Sequence, residues 1–528
     1  MPLNANHCSF ESPVNHLLHT NAIPSAQECA WITDILVQPR KDLAAIDEEI
    51  RRIQQTLDKL HGRRKVLATD IDAHLALLSP VRHLPHDILR EIFVSSLPST
   101  HNAIIAGREA PLLLCHVCSG WRSIAFATPR LWSSLHVVVP TQSQLQDTIF
   151  FLAQQWLARS GILPLSLSIG ISFSVVDEDD AHVLPFLELM AAVANRWESV
   201  DFSIPLFYHL GWFSQWIYAL SPANVPQLTR LKFSSCDDVM LASPLLSSPT
   251  ISNLTLPCIP DNANFTSISW QYLTHLELRS NGRDRADEIF GILERCVNLQ
   301  VCTLTIPVGD NLIIADDHII VLPNLTALSV TCLDYNASPA AAMIFEHLRI
   351  PELAFFECFE DTTFLVAKLS ASQTKLRHLA ISGVFTQTMF MDLNESSEIF
   401  PSSLETLQLT SKEPEWESFG FGASSVDGDI LRVLGPDTLP ILTTLKIEGL
   451  SEITDTAVLS LIRARADTAT PLRNVDIAFP RAMEVDILPE LADLISYGLV
   501  VSLKYEPGPC DPGDQYTYCP WQYTDISD

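Results

Sequence analysis

One apolar pattern recurs from Trp197 to the end of the ordered-looking part of this 528-residue chain: apolar, two residues, apolar, one residue, apolar. It reads Trp197/Val200/Phe202, Leu228/Leu231/Phe233, Ile251/Leu254/Leu256, Leu273/Leu276/Leu278 and Leu299/Cys302/Leu304. It continues as Leu325/Leu328/Val330, Leu353/Phe356/Cys358, Leu376/Leu379/Ile381, Leu404/Leu407/Leu409, Leu442/Leu445/Ile447 and Leu472/Val475/Ile477, with Val500/Leu503/Tyr505 last. Apolar residues two apart fall on one face of a strand. A strand this short cannot bury that face alone, so neighbours must stack on it and share one continuous core.

Successive copies begin 31, 23, 22, 26, 26, 28, 23, 28, 38, 30 and 28 residues apart. Eight of these eleven intervals fall within the roughly 20–29-residue period of leucine-rich repeats. A Pro-x-Leu entry precedes several strands (Pro226-Gln227-Leu228, Pro323-Asn324-Leu325, Pro351-Glu352-Leu353), and Leu450 to Leu461 resembles the helical side of such repeats. The Asn or Cys that usually follows the strand is matched only by Cys236 and Asn281. The expectation for residues 136–505 is an α/β leucine-rich-repeat-like solenoid; a mixed α/β domain of another kind is the alternative. In a solenoid, the residues between the buried strand positions line the concave face. That column holds Arg230, Lys232, Asn253, His275, Glu277, Arg279, Phe355, Glu357, Phe359, His378, Gln408, Lys446 and Asp476. Arg230, Lys232, His275, Glu277, Phe355, Phe359 and His378 are the candidates for holding a protein target. Phe355 and Phe359 are aromatics of the kind that anchor interfaces, unless a neighbouring loop buries them.

Upstream, Leu43, Ile46, Ile50, Ile53, Leu57, Leu60, Leu67, Ile71 and Leu78 follow alternating steps of three and four, with Arg64 and His74 in the two polar slots. Sustained over about five heptads, this predicts a coiled-coil helix over residues 41–79, on the order of 50 Å long. Gly62 weakens its middle by about 1 kcal/mol relative to Ala. Self-association through the seam is one reading, and an antiparallel or intramolecular stem is the other. Residues 1–40 mix Pro, Asn, Ser and His without a period and are expected to be a loose leader.

Between helix and repeats lies Leu84-Pro85-His86-Asp87-Ile88-Leu89-Arg90-Glu91-Ile92-Phe93, followed by Val117-Cys118-Ser119-Gly120-Trp121-Arg122. Pro85 suits a helix start, where its missing N–H costs nothing. Ile88, Leu89, Ile92 and Phe93 form one apolar stripe, and Leu114, Val117, Cys118, Trp121 and Ile124 form a second at helical spacing. Such stripes either pack on the downstream domain or stay partly open for a partner. Together with Asp87, Ala125 to Thr128 and Pro129-Arg130-Leu131-Trp132, these motifs resemble the F-box, in the variant abundant in mushroom-forming fungi. The resemblance covers residues 80–135; the link from Leu97 to Pro111 is longer than in the commonest F-boxes. It implies binding of a Skp-type adaptor, and through it a cullin, by Leu84, Pro85, Ile88, Leu89, Ile92, Phe93, Leu114, Val117, Cys118 and Trp121. Some of these would touch the adaptor and others would support the surface. The implied role is that of a substrate-recruiting subunit of an SCF ubiquitin ligase; a ligase-independent interaction scaffold is the alternative.

Composition narrows the classes further. With 62 acidic against 33 basic residues the net charge is −29, a field that repels nucleic acid. The basic residues between Arg40 and Lys65 alternate with acids, as on a solvated helix face. Twelve cysteines, several within apolar runs (Cys236, Cys258, Cys302, Cys332, Cys358), suggest free thiols in a reducing compartment. No signal-peptide pattern and no apolar run of roughly 20 residues is present, so no membrane is expected and the location is expected to be cytoplasmic, nuclear or both. Cys115-His116-Val117-Cys118 has the spacing of half a zinc site but lacks a second half. Phosphate-binding glycine loops and nucleophile elbows are missing too. The acids Asp177 to Asp180 are adjacent, which does not supply converging catalytic carboxylates. No enzyme activity, metal or cofactor is expected. Residues 506–528 break regular structure, and Tyr516, Tyr518, Trp521 and Tyr523 are candidates for capping the last repeat.

Overall fold

The structure is a computed structural model that describes residues 14, 17, 20–140, 143–171, 183–203, 211–234, 238–257, 267–279, 286–306, 314, 318–332, 339–359, 375–383, 403–411, 434, 439–450 and 453–506. It is mixed α/β and forms two compact units, Met1–Leu89 and Arg90–Asp528. Asp177 to Asp180, Cys236, Cys258, Asn281 and the aromatics beyond residue 506 lie outside the described residues.

In the first unit, helix α1 spans Ala26–Leu77, 52 residues, or about 78 Å at 1.5 Å per residue. It therefore begins fifteen residues before the expected start at residue 41, inside the expected leader. The cause is a capping box: Ser25 Oγ accepts from Glu28 N at 3.3 Å, and the Glu28 carboxylate accepts from Ser25 N at 2.8 Å. Pro39 sits within the helix without ending it. Leu43, Ile46, Ile50, Ile53, Leu57, Leu60, Leu67 and Ile71 are each 49–60% exposed, and Leu78 more so. The heptad seam exists as sequence predicts, and the whole of it faces solvent.

The second unit is built on β1 (Ser134–Val139), β2 (Leu165–Ile171), β3 (Trp197–Ser203), β4 (Arg230–Phe233) and β5 (Asn253–Leu256). The ladder goes on through β6 (His275–Leu278), β7 (Val301–Ile306), β9 (Ala327–Cys332), β11 (Phe355–Phe359) and β12 (His378–Gly383). It ends with β13 (Thr406–Ser411), β14 (Thr444–Glu448), β15 (Asn474–Phe479) and β16 (Val500–Tyr505). Among the described residues these fourteen strands form one sheet in sequence order, and every adjacent pair is parallel. Each of the twelve pattern copies contributes one strand. The short strands β8 (Ile320–Val321) and β10 (Leu348–Arg349) pair in a separate two-stranded sheet that the pattern does not signal.

Parallel sheets are usually covered on both faces. Here burial alternates along strands such as β7 and β15, so one face is buried and the other is partly exposed, although Thr255 and Ala380 on that second face are buried too. The covered face is a ladder of single residues in register: Leu254, Leu276, Cys302, Leu328, Phe356 and Leu379 lie side by side. The crossovers close over it with Leu245, Leu246, Ile289, Ile292, Ile344 and Phe345, all buried. The helix Asp455–Ala466 joins β14 to β15 at the place where Leu450 to Leu461 suggested a helix.

The sheet starts two strands earlier than the pattern's first copy, and β1 begins inside residues 80–135. Its outer edge is covered by the long link that follows Leu97. Ile104 bridges His136 in parallel, and His136 N donates to Ala103 O at 2.8 Å. Asn102 fixes that segment: its Oδ1 accepts from Ser134 Oγ at 2.9 Å and Ser166 Oγ at 2.8 Å, and its Nδ2 donates to Ser168 Oγ at 3.0 Å. An open strand edge invites unwanted pairing, and this link blocks it.

Candidate functional site

Helix α2 spans His86–Ser95, with Leu89 N donating to Pro85 O at 3.1 Å. The division between the two units falls within it. Of the residues in the first unit, Leu84 is half-buried after the 3-10 turn Pro80–His83, Pro85 and Ile88 are exposed, and Leu89 is buried. In the second unit Ile92 is exposed and Phe93 is fully buried. The stripe on α2 thus has two flanks. Leu89 and Phe93 are inside; Ile88 at 49% and Ile92 at 46%, one turn apart, are outside.

The second stripe is not one helix. Helix α3 spans Leu112–Val117 and helix α4 spans Ser119–Phe126, with Cys118 between them in extended conformation at φ −161°, ψ 171°. Apolar spacing continued through the break and concealed it. Cys118 serves as the N-cap of α4, its Sγ accepting from Trp121 N at 3.4 Å, the place a Ser or Asp oxygen commonly fills. Arg122 Nε donates to Cys115 O at 2.8 Å and ties the end of α3 to α4.

Leu114 and Cys115 are buried, whereas Val117 is 55% exposed and Leu113 and Cys118 are also exposed. Trp121 is half-buried and lies against Phe93, ring centroids 4.8 Å apart at 53°. Beneath this surface Trp132 is fully buried. Its Nε1 donates to Ala125 O at 2.9 Å, its ring meets Trp156 edge-on at 4.8 Å, and the Arg159 guanidinium lies 5.0 Å above it. Trp156 belongs to helix α5, Ser143–Arg159, the crossover from β1 to β2. The short helices are thereby seated on the start of the sheet, and Ile92, Leu113 and Val117 are left outside.

Burial pushes the Cys115 thiol up, outweighing Arg159 and Arg122. Cys118 is spent on the cap. Among the described residues no group of three or more His, Cys, Asp or Glu side chains is placed to hold a metal ion.

The polar column of the sheet is real as a register. Asp201, Lys232, Thr255, Glu277, Thr303, Ser329, Glu357, Ala380, Gln408, Lys446 and Asp476 are consecutive cross-strand neighbours. A second row carries Arg230, Asn253, His275, Val301, Ala327, Phe355 and His378. Many of its charges pair with one another. Lys232 Nζ lies 2.9 Å from Asp201, Arg279 Nε lies 2.7 Å from Glu277, and Ser329 Oγ donates to Glu357 at 2.7 Å. Arg230 is exposed and His275 half-buried with its Nδ1 2.9 Å from Thr274 Oγ1. Phe355 is 36% exposed and its ring centroid lies 6.4 Å from that of exposed His378. Phe359 ends β11, and its side chain lies outside the described residues.

The polar row extends beyond the sequence-derived column through Ser168 and His136. His136 Nδ1 lies 2.8 Å from Ser168 Oγ, and burial lowers the His136 pKa despite the opposing pull of Asp201. The signal that finds β1 is present in sequence as Trp132/Leu135/Val137, the same spacing inside the F-box-like stretch. Among the described residues no helix is long and apolar enough to cross a membrane.

No protein-family model matches this chain, and no curated protein matches it either.

Proposed function

We propose that this chain recruits a protein target to an SCF-type ubiquitin ligase. Its F-box-like helices would bind a Skp-type adaptor, which joins it to a cullin. The sheet's open polar face, read as a degenerate leucine-rich-repeat array, would hold the target. The observation that carries the proposal is the sorting of the motif residues: in the first unit Ile88 is exposed and Leu89 buried, and in the second Ile92 and Val117 are exposed while Phe93 and Leu114 are buried. Apolar side chains kept outside on short helices, beside a half-buried tryptophan, suit a partner's groove. Transfer would gain from proximity, with no bond chemistry required of this chain.

The test is co-purification of the full chain with a Skp-type adaptor. Ile88→Asp and Val117→Asp are expected to abolish binding while the circular dichroism spectrum stays unchanged, because both side chains are already in water. Failure of the folded, unmodified chain to bind would favour the scaffold reading.

The repeat reading is supported by the sequential parallel ladder and by the spacing of its strands. Phe355→Ala and Arg230→Glu are expected to weaken target capture without altering adaptor binding, read by comparative pull-down with each variant.

A further inference from the structure

Among the described residues nothing covers the α1 seam. A helix in a folded protein draws most of its stability from packing an apolar stripe, yet every heptad position from Leu43 to Ile71 that carries Leu or Ile is about half exposed. Helix α1 runs through Gly62 without a turn, so it does not fold back on itself to form a stem. Charge identifies what fits. Asp47-Glu48-Glu49 forms an acidic block and Arg63-Arg64-Lys65 a basic block on the same helix; Glu48 also pairs with Arg51 and Arg52 on the next turn.

In a parallel pair of copies each block would lie beside its own kind. Arg64 would face Arg64 and His74 would face His74 in the seam. Reversing one copy brings the acidic block of each alongside the basic block of the other, twice by symmetry. With Ile53 opposite Leu57 of the second copy, Ile50 meets Leu60, Leu43 meets Leu67, and Arg64 meets Ile46 rather than itself. Flanking the seam, Glu49 then lies across from Arg63.

We propose that α1 is an antiparallel dimerisation element whose occupant is a second copy of this chain. The pairing is self-complementary, as a two-fold interface must be. It is independent of the ligase reading, because it uses none of the adaptor or sheet residues. Two copies joined in this way would present two open sheet faces, and a target bearing two binding motifs would be held more tightly than by one.

The test uses the full chain without adaptor. Light scattering at micromolar concentration is expected to give a dimer, and Ile53→Asp, a change at an exposed position, is expected to weaken self-association at least about tenfold. Arg63→Glu should also weaken the dimer, and Glu49→Arg added to it should restore it. For orientation, a mixture of Ile50→Cys and Leu60→Cys chains is expected to form a disulfide-linked pair under mild oxidation, above the background of the unmodified chain. Ile50→Cys chains alone should not. A monomer, a larger oligomer, or self-linking by Ile50→Cys would each overturn the proposal.

Discussion

The carboxylate of Asp455 is fully buried in the first turn of the helix Asp455–Ala466 and meets four donors. Glu484 N and Val485 N lie at 2.9 and 2.8 Å from one oxygen, and Arg481 Nη2 and Tyr505 Oη each lie at 3.1 Å from the other. One side chain thus links the β14–β15 helix, the segment after β15 and the last strand. Burial by itself pushes the carboxyl up, but the bonds from Val485 N, Arg481 and Glu484 N together hold it below the usual range. Burial, then the Asp455 charge, pushes the Tyr505 phenol up to about 12. A carboxyl that is depressed in the folded state stabilises the fold above its unfolded pKa, near 4, and loses that contribution as pH falls through the lower folded value. Asp455→Asn is expected to cost roughly 3 kcal/mol at pH 7, as breaking a buried ion pair does. In urea unfolding followed across pH, the gap between the variant and the unmodified chain should narrow as pH drops below about 4. Nothing in the pattern-level reading singled out this residue, because its partners lie 26 to 50 residues away in sequence.

Elements differ in how fully their sequence describes them. The heptads predict a helix, but its start at Ala26 comes from Ser25-Ala26-Gln27-Glu28, a capping box that the apolar period does not contain. Gly62 lies at an exposed helical position where an added Cβ would meet nothing within 4 Å. Gly62→Ala is therefore expected to stabilise α1 by about 1 kcal/mol, seen as a higher helical melting temperature by circular dichroism. The α3–α4 pair shows the converse. Residues 114 to 124 keep helical spacing across a break, since Val117 and Cys118 are adjacent in the stripe whether or not the backbone turns there. A serine oxygen is a better cap than a thiol. Cys118→Ser is expected to retain the fold and to leave stability equal or higher by up to about 1 kcal/mol, read by thermal melting.

For the whole molecule, the division at Leu89 separates a unit dominated by one exposed helix from one dominated by a fourteen-stranded sheet. Two units of such different make-up are expected to unfold separately. Calorimetry should resolve two transitions, and the one assigned to α1 by its helical signal should shift upward with protein concentration if copies associate. One concentration-independent transition would contradict both points.

The sheet's strands were legible because an apolar-x-apolar triplet has one low-energy use, burial of alternate side chains against stacked neighbours. Twelve such triplets in a row determined twelve neighbouring strands. The sequence also determined the apolar seam of α1, since heptad spacing is a property of the chain alone; its exposure is a finding of the structure. Tertiary structure decided what depends on neighbours distant in sequence. Leu89, Phe93 and Leu114 carry the same apolar character as Ile88, Ile92 and Val117. No local rule says which three go inside; packing of Phe93 on Trp121 and of Trp132 on Trp156 sets the arrangement in the second unit. In the same way, the long link after Leu97 reads only as an insertion. It became an edge cover because β1 needed partners for its outer hydrogen-bonding groups and Asn102 could reach three serines at once.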